Sequence, residues 1–292
     1  MRDFAGRVAV VTGAASGIGR SLAGHFAREQ MSVVLADVER RRLDETAQAI
    51  DASAGGSASA SASASASARI VPVVTDVADA DSVAALAERA FAQFGAVHVL
   101  CNNAGVFQGG LSWECSPADY EWTFGVNVWG ILHAIRAFVP RMLEQGEDAH
   151  IVNTASMAGL ATTAYCAPYE VSKFGAAALT ECLAHDLAAI GAPIKVSLLC
   201  PGSVNTEIAR SRRNRPEHLA PTDENAAAAF VEEALASTTE RGADPDDVAE
   251  LVMEAIREER FLVPTAPSYR AQILDRASAL ADRNLPPSTT FD

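Results

Sequence analysis

The stretch RVAVVTGAASGIGR, residues 7–20, decides the fold of this chain. Its first half is a run of small and β-branched apolar residues, which predicts a strand covered on both faces. Its second half carries Gly13, Gly17 and Gly19 and runs into a helical pattern. Glycines in such a turn allow a tight reversal and let a pyrophosphate approach backbone N–H groups at the helix N-terminus. The stretch therefore predicts the opening strand, turn and helix of a dinucleotide-binding fold.

The rest of the chain repeats this alternation of apolar runs and helical patterns. Strands are predicted at 7–12, 32–36, 70–74, 97–101, 150–154, 194–199 and 261–263. Helices are predicted at 17–30, 39–50, 81–94, 117–143, 169–190 and 245–258. Repeated strand–helix alternation indicates an α/β fold, a Rossmann-type doubly wound parallel sheet of about seven strands with helices on both faces.

Four segments define the predicted organisation. Residues 1–265 are expected to form a single domain. The strict Ser-Ala alternation at 57–68 is interpreted as a flexible surface insertion, because neither residue holds a buried strand. Residues 203–243 are too long for a tight connection and predict a mobile substrate lid. The C-terminal extension, 266–292, is left with three possible roles: covering a pocket, joining a subunit interface or being partly disordered.

Composition excludes several classes of function. With 292 residues and a formal net charge of −14, the chain is a poor candidate for binding nucleic acid or an anionic membrane. It has no run of 18 apolar residues and no signal-like N-terminus, so we expect a cytoplasmic protein without a membrane span. Its five scattered cysteines suit reduced thiols. Its histidines lack metal-ligand spacing, so no catalytic metal is expected.

Asp37 ends the second predicted strand, about 20 residues beyond the glycine turn. An acid at this place hydrogen-bonds the ribose hydroxyls of the adenosine half, and it repels a 2′-phosphate. This favours NAD over NADP as the cofactor. Two alternatives stay open: Asp37 caps the following helix, or the arginines at 40–42 offset the repulsion.

Several motifs together make residues 5–265, without the Ser-Ala insertion, resemble the classical short-chain dehydrogenases/reductases. They are TGAASGIG at 12–19, Asp76 in TDV, NNAG at 102–105, Asn127 in FGVNVWG, Ser156, the Tyr169–Lys173 YxxxK pair, and Pro201-Gly202 followed by Val204 and Thr206. The resemblance implies cofactor contacts from Gly13, Ser16, Gly17, Ile18, Gly19, Asp37, Asp76, Val77, Asn103, Ala104, Gly105, Tyr169, Lys173, Pro201, Gly202, Val204 and Thr206. It also implies a homodimer or homotetramer built through the helices at 117–143 and 169–190.

The chain has only two lysines, and Lys173 lies one helical turn after Tyr169, on the same face. Tyr165 precedes Pro168 and has no such partner. A nearby ammonium favours the phenolate, and lowering the pKa of a tyrosine from about 10 to about 7 requires roughly 4 kcal/mol. We therefore expect Tyr169 to act as general base and acid, helped by Lys173 and an oxidised nicotinamide.

The other two catalytic candidates are Ser156 and Asn127. Ser156 is expected to hydrogen-bond the substrate oxygen and stabilise charge that develops there. The resemblance implies that Asn127 anchors a proton-relaying water and that Lys173 also holds the nicotinamide ribose. Taken singly, the serine could be a loop residue and the asparagine a hydrogen-bonding residue within a helix.

The predicted substrate pocket is apolar and aromatic, with Phe107, Trp113, Met157 and Tyr165 as its candidate residues. It indicates a hydrophobic or aromatic secondary alcohol or ketone as the small-molecule partner. The basic run RSRRNR at 210–215 is interpreted as a solvated face, with attraction of a substrate carboxylate as the alternative. The longer run VNTEIARSRRNRP, 204–216, is similar to family members that oxidise benzylic alcohols of lignin-derived aryl ethers.

The leading hypothesis is an NAD-dependent alcohol dehydrogenase or carbonyl reductase. An NADPH-dependent carbonyl reductase is the second hypothesis. A catalytically idle dinucleotide-binding scaffold is the third, and the presence of both Tyr169 and Lys173 argues against it.

Overall fold

A computed structural model describes residues 1, 3–55, 69–221 and 225–289. The Ser-Ala stretch lies outside the described residues. Within them, one parallel sheet of seven strands has the order β3-β2-β1-β4-β5-β6-β7. The strands are β1 Val8–Thr12, β2 Ser32–Asp37, β3 Ile70–Val74, β4 Val99–Asn102, β5 Ala149–Thr154, β6 Ile194–Cys200 and β7 Leu262–Pro264. The predicted fold class is confirmed.

Helices connect these strands and continue beyond the last of them. They are α1 Gly17–Arg28, α2 Arg40–Gly55, α3 Ala80–Phe94, α4 Pro117–Phe124, α5 Gly130–Gln145, α6 Ala167–Ala189, α7 Ala226–Thr239, α8 Pro245–Glu258 and α9 Tyr269–Ala281. Short 3₁₀ turns occur at Met157–Gly159, Ile208–Asn214 and Glu217–Leu219. In the part of the chain that the structure describes, no helix combines the length and apolarity that crossing a bilayer requires.

Alternate residues of the central strands pack in hydrophobic clusters on opposite faces of the sheet. Because both faces are buried, the strand sequences are apolar throughout. Val11 of β1 packs in a cluster with Leu22 of α1 and Met253 of α8. Its neighbour Val10 faces the opposite side, in a cluster with Phe138 of α5. Helices thus cover both faces of the sheet, as expected for parallel strands.

The chain changes direction across the sheet at β1. From β1 it moves outward through β2 to β3, and then returns to place β4 on the other side of β1. Ligands of open α/β sheets bind in the crevice that such a switch opens at the carboxyl ends of the strands. The turns after β1 and β4 border this crevice.

The predicted helix at 117–143 is interrupted. A π-helical turn, Gly125–Trp129, separates α4 from α5 and contains Asn127. Close packing accompanies it: a Cβ built on Gly130 would lie 2.9 Å from Cγ2 of Val77. Such π turns are rare and frequently occur at functional sites. Residue periodicity does not reveal the interruption, because the residues on both sides remain helical.

Candidate active site

The turns after β1 and β4 meet backbone to backbone. The Thr12 hydroxyl accepts hydrogen bonds from the backbone N–H groups of Asn103, at 2.9 Å, and Ala104, at 3.1 Å. A Cβ built on Gly13 would lie 2.9 Å from Cα of Ala104, and one on Gly19 would lie 2.2 Å from the Gly13 carbonyl oxygen. A side chain at either position would therefore collide with neighbouring backbone atoms, so both positions require glycine. Gly13 also has a φ of +66°, which favours glycine.

A cavity of about 1080 Å³ occupies the carboxyl edge of the sheet at this switch point. All the predicted cofactor-binding residues line it except Gly19, which lies behind the turn against Gly13. The volume and the glycine-lined cradle suit a dinucleotide together with a small substrate. In the described part of the chain, no group of three or more His, Cys, Asp and Glu side chains is arranged to hold a metal ion.

Asp37, at the end of β2, lines this cavity. One carboxylate oxygen accepts the N–H of Ala15 and the other accepts the N–H of Glu39, each at 3.0 Å. The second bond goes to the residue before α2, which begins at Arg40, so it supports the turn that leads into the helix and satisfies no N–H group of the helix itself. Because each carboxylate oxygen has two lone pairs, both oxygens can still accept a further hydrogen bond.

The basic run at 210–215 is only partly the predicted solvated face: Arg210 and Arg213 are exposed, but three of its arginines pair with acids. Arg212 pairs with Glu232 of α7 at 2.6 Å, and Arg213 pairs with Glu39 at 2.6 Å. Arg215 pairs with Asp119 of α4 at 2.6 Å, with both side chains buried. These three guanidinium groups fasten the segment after β6 to other elements instead of being free to attract a substrate carboxylate.

Ser156, Tyr169 and Lys173 come together at the inner end of the cavity. Ser156 follows β5 and begins a 3₁₀ turn, and its side chain hydrogen-bonds Tyr169. Lys173 is buried, donates from Nζ to the Thr154 carbonyl at 3.0 Å, and lies 5.7 Å from the centroid of the Tyr169 ring. The helical period of α6 places the tyrosine and lysine on one face.

Asn127 uses its side chain to hold the neighbouring loop. Its Oδ1 accepts the Val106 N–H at 2.9 Å, while its Nδ2 donates to the Val106 carbonyl at 3.0 Å and to the Ser172 hydroxyl at 2.9 Å. Both amide hydrogens are therefore engaged within the protein. A Cβ built on Gly105 would lie 3.4 Å from this Oδ1 and 3.3 Å from Nζ of Lys173, so the glycine leaves room beside both groups.

The pKa values of the central pair are shifted by burial. Burial raises the pKa of Tyr169 to about 12, and the hydrogen bond with Ser156 lowers it only in part. Burial also lowers the pKa of Lys173 to about 8. For the chain by itself, the shift of the phenol pKa is thus opposite to the lowering predicted from the lysine. Desolvation of the phenolate is the largest cause of the raised pKa, and the neighbouring Cys166, Cys200 and Glu170 raise it further.

The predicted substrate residues are only partly brought together. Phe107 lines the cavity, with its ring centroid 5.0 Å from that of Tyr169. Met157 is instead fully buried in the core beneath β5 and β6. Trp113 is 80% exposed, and Tyr165 is 42% exposed with its ring 6.4 Å from Phe230; neither lines the cavity. Aromatic character alone did not indicate which side chains face inward.

Sequence reasoning predicted that the segment 203–243 closes over the substrate and allowed that the C-terminal extension covers a pocket, but it named no individual residues there. Those that line the cavity include Leu219, Val231 and Leu235 of the first segment and Thr289 of the second. A signal for α7 existed, since Asn225 precedes an alanine-rich run and caps the helix by accepting the Ala228 N–H at 2.9 Å. No local signal marked Thr289.

Comparisons with known proteins agree with this geometry. A family model described as short chain dehydrogenase matches residues 7–217. A crystal structure of a short-chain dehydrogenase/reductase from Burkholderia phymatum in complex with NAD superimposes with a TM-score of 0.92 at 40% identity, covering 99% of both chains. The 1-deoxy-11-beta-hydroxypentalenate dehydrogenase of Streptomyces exfoliatus is 35% identical over 278 residues, 92% of this chain and 86% of that protein. A CLA biosynthesis dehydrogenase/reductase from Lactiplantibacillus plantarum is 31% identical over 291 residues, 98% of this chain and 97% of that protein.

Proposed function

The chain belongs to the short-chain dehydrogenase/reductase family, and from that premise we propose that it interconverts a hydrophobic or aromatic secondary alcohol and its ketone with NAD. The observation that carries the proposal is the group formed by buried Ser156, buried Lys173 and the half-buried Tyr169 between them, which lines a dinucleotide-sized cavity. Ser156, after β5, meets Tyr169 and Lys173 of α6 at one place, as proton transfer to a substrate oxygen requires.

The residues around the cavity fit the cofactor. The glycine turn and the N-terminus of α1 would hold the pyrophosphate, Asp37 the adenosine ribose, and Lys173 the nicotinamide ribose. Bound NAD supplies the hydride acceptor and, when oxidised, a positive charge near the phenol.

NAD is proposed over NADP on the charges around Asp37. Two of the three arginines at 40–42 that could offset its repulsion of a 2′-phosphate, Arg41 and Arg42, are themselves paired. Arg42 binds Glu207 and also lies 3.2 Å from Glu39, and Arg41 binds Glu45 at 3.0 Å. A 2′-phosphate would therefore meet a carboxylate without a free guanidinium from either residue.

The chain's own groups account for the proton transfer. In oxidation, the Tyr169 phenolate oxygen would take the alcohol proton and become the phenol, and the hydride would pass to bound NAD, while the Ser156 hydroxyl donates a hydrogen bond to the substrate oxygen. With a pKa of about 12, deprotonating Tyr169 at neutral pH costs roughly 7 kcal/mol in the chain alone. The proposed base role therefore needs the cationic cofactor as well as Lys173, whose pKa of about 8 keeps it mostly protonated at pH 7.

The proposed substrate class rests on the apolar walls. Phe107, Leu219, Val231 and Leu235 line the cavity, and the Phe107 ring lies against that of Tyr169. We infer that residues 203–243 act as the substrate lid, and that residues 1–265 form the catalytic domain with 266–292 as its extension. A relative named as the dehydrogenase of a hydroxypentalenate supports an alcohol as the substrate. Exposed apolar side chains on the π turn and α6, Trp129 and Val171, support a homodimer or homotetramer.

The test is a screen of aromatic and alicyclic secondary alcohols, following the absorbance of reduced nicotinamide with NAD and with NADP. Tyr169→Phe should lower kcat by about 10²-fold or more while NAD still binds. Tyr165→Phe is the matched control, because this exposed tyrosine lies outside the cavity, and its kcat should stay near that of the parent.

Three results would count against the proposal. Normal turnover by Tyr169→Phe with NAD bound would remove the proposed base. A higher kcat/KM with NADPH than with NADH would favour the alternative NADPH-dependent carbonyl reductase. Cofactor binding without turnover of any alcohol or ketone would favour the idle scaffold.

A further inference from the structure

The C-terminal tail, residues 282–289, leads back to the active-site cavity. The Thr289 N–H donates to the Thr162 carbonyl at 3.1 Å, and the Thr289 hydroxyl donates to the same oxygen at 3.2 Å. The Ser288 hydroxyl lies 3.2 Å from the hydroxyl of Thr163. Thr163 and Thr289 both line the cavity. Of the three roles left open for this segment, the contacts favour covering a pocket.

The helix that precedes the tail, α9, is also anchored to the rest of the protein. Arg276 of α9 lies 4.9 Å from the ring of Phe174 on α6, and Tyr269 packs against the core cluster beneath β6. After α9, Arg283 adopts a φ of +61° and turns the chain. Pro286 and Pro287 then restrict the backbone and have no N–H groups to donate. The tail therefore reaches the cavity as a short, stiff segment.

The loop that the tail contacts, residues 162–163, is hydrogen-bonded to α6. Glu170, next to Tyr169 on α6, is 5% exposed and accepts the Thr163 N–H at 2.7 Å. Thr163 thus contacts the tail through its side chain and α6 through its backbone. A displacement of the tail changes a wall that adjoins the helix bearing the proton-transferring tyrosine.

Resting on the proposed function, we propose that Thr289 and the tail that carries it form a specificity-determining wall of the substrate cavity and limit the size of the alcohol or ketone that reaches Tyr169. Val231 and Leu235 of α7 also line the cavity, on an element far from the tail in sequence. Removing one wall of an apolar pocket changes discrimination between substrates by about 10-fold to 200-fold, whereas the proton-transferring group stays in place.

Three variants test this assignment. One ends the chain after Asn284, one carries Thr289→Trp, and the control carries Leu285→Ser, at a tail residue that is 92% exposed. The readout is the ratio of kcat/KM for methyl naphthyl carbinol to that for methyl phenyl carbinol. Truncation should raise the ratio about 10-fold and the tryptophan should lower it about 10-fold, while the control keeps the parent ratio. The dissociation constant of NAD, measured by fluorescence, verifies that each variant is folded.

A second readout does not depend on turnover. Cys166 is buried and lines the same cavity as Thr289, whereas Cys182 is exposed on α6. The rate at which N-ethylmaleimide modifies each thiol can be followed by peptide mass spectrometry. Truncation should accelerate modification of Cys166 several-fold relative to Cys182, and Leu285→Ser should not.

The two readouts separate this inference from the function on which it rests. If the parent protein oxidises no alcohol, the proposed function fails and the thiol rates still decide the role of the tail. An unchanged Cys166 rate after truncation overturns the inference. In an active enzyme, a size ratio that is the same in the parent, the truncated chain and Thr289→Trp overturns it as well.

Discussion

The buried ion pair between Arg215 and Asp119 should be a main attachment of the segment after β6, the proposed lid. Its N–O distance is 2.6 Å, and the side chains are 3% and 10% exposed. Arg215 also donates to Gln108 at 3.1 Å, and its guanidinium lies 5.2 Å from the ring of Trp122. Asp119→Asn keeps the shape of the side chain but removes the charge, which leaves a guanidinium buried without its counterion.

Removing one partner of a buried pair costs about 3–5 kcal/mol, because the remaining charge loses its compensation. We expect Asp119→Asn and Arg215→Met each to lower the free energy of unfolding by that amount. The double variant should lose much less than the sum, since it leaves neither charge unpaired. The Michaelis constant for the alcohol should also rise in the single variants, because Pro216 and Leu219 beside Arg215 line the cavity.

The measurement is equilibrium unfolding in urea at fixed protein concentration for the parent, both single variants and the double variant. Arg41→Met is the matched control. Its pair with Glu45 has a similar N–O distance, 3.0 Å, but its side chains are 81% and 60% exposed, so the loss should stay below about 0.5 kcal/mol. A coupling energy between Arg215 and Asp119 below about 1 kcal/mol would refute the reasoning.

Two further predictions concern single carboxylates. Burial raises the pKa of Glu170 to about 7 from 4.5, so the folded protein binds a proton that the unfolded chain releases, and stability should fall as pH rises from about 4.5 to 7. Glu170→Gln should remove this pH dependence, and at pH 8 its free energy of unfolding in urea should be roughly 3 kcal/mol higher than that of the parent. Curves of unfolding free energy against pH that run parallel for the two proteins would contradict the prediction. Asp37→Asn should lower the preference for NAD over NADP by about 10-fold in kcat/KM, because it removes the charge facing a 2′-phosphate, and an unchanged preference would dismiss electrostatic selection.

Patterns within a few residues predicted most of the fold. The strands could be recognised because burial on both faces makes each one a continuous apolar run, as in VAVVT of β1. The pair Tyr169–Lys173 could be placed on one helix face because the helical period relates residues four apart. The local pattern does not include the desolvation that raises the pKa of Tyr169 in the chain alone, since burial comes from the whole fold; the lowered pKa with a bound oxidised cofactor stays a prediction.

Features that join distant parts of the chain could not be predicted this way. Arg215 meets Asp119 across 96 residues, and Thr289 meets Thr162 across 127. Met157 and Trp113 looked equally suited to an apolar pocket, yet one lies in the core and the other in solvent. Which way such a side chain faces depends on how helices and loops pack against the sheet.

By itself, the sequence determined the parallel sheet, the glycine turn at its switch point and the residue types of the proton-transfer group, because each depends on the local geometry of one strand, turn or helix. Only the tertiary structure decided how the arginines pair, which apolar residues line the cavity and which part of the protein the C-terminal tail contacts. These depend on contacts between segments that are far apart in the chain, and the desolvation that shifts the pKa values arises only when those segments pack together.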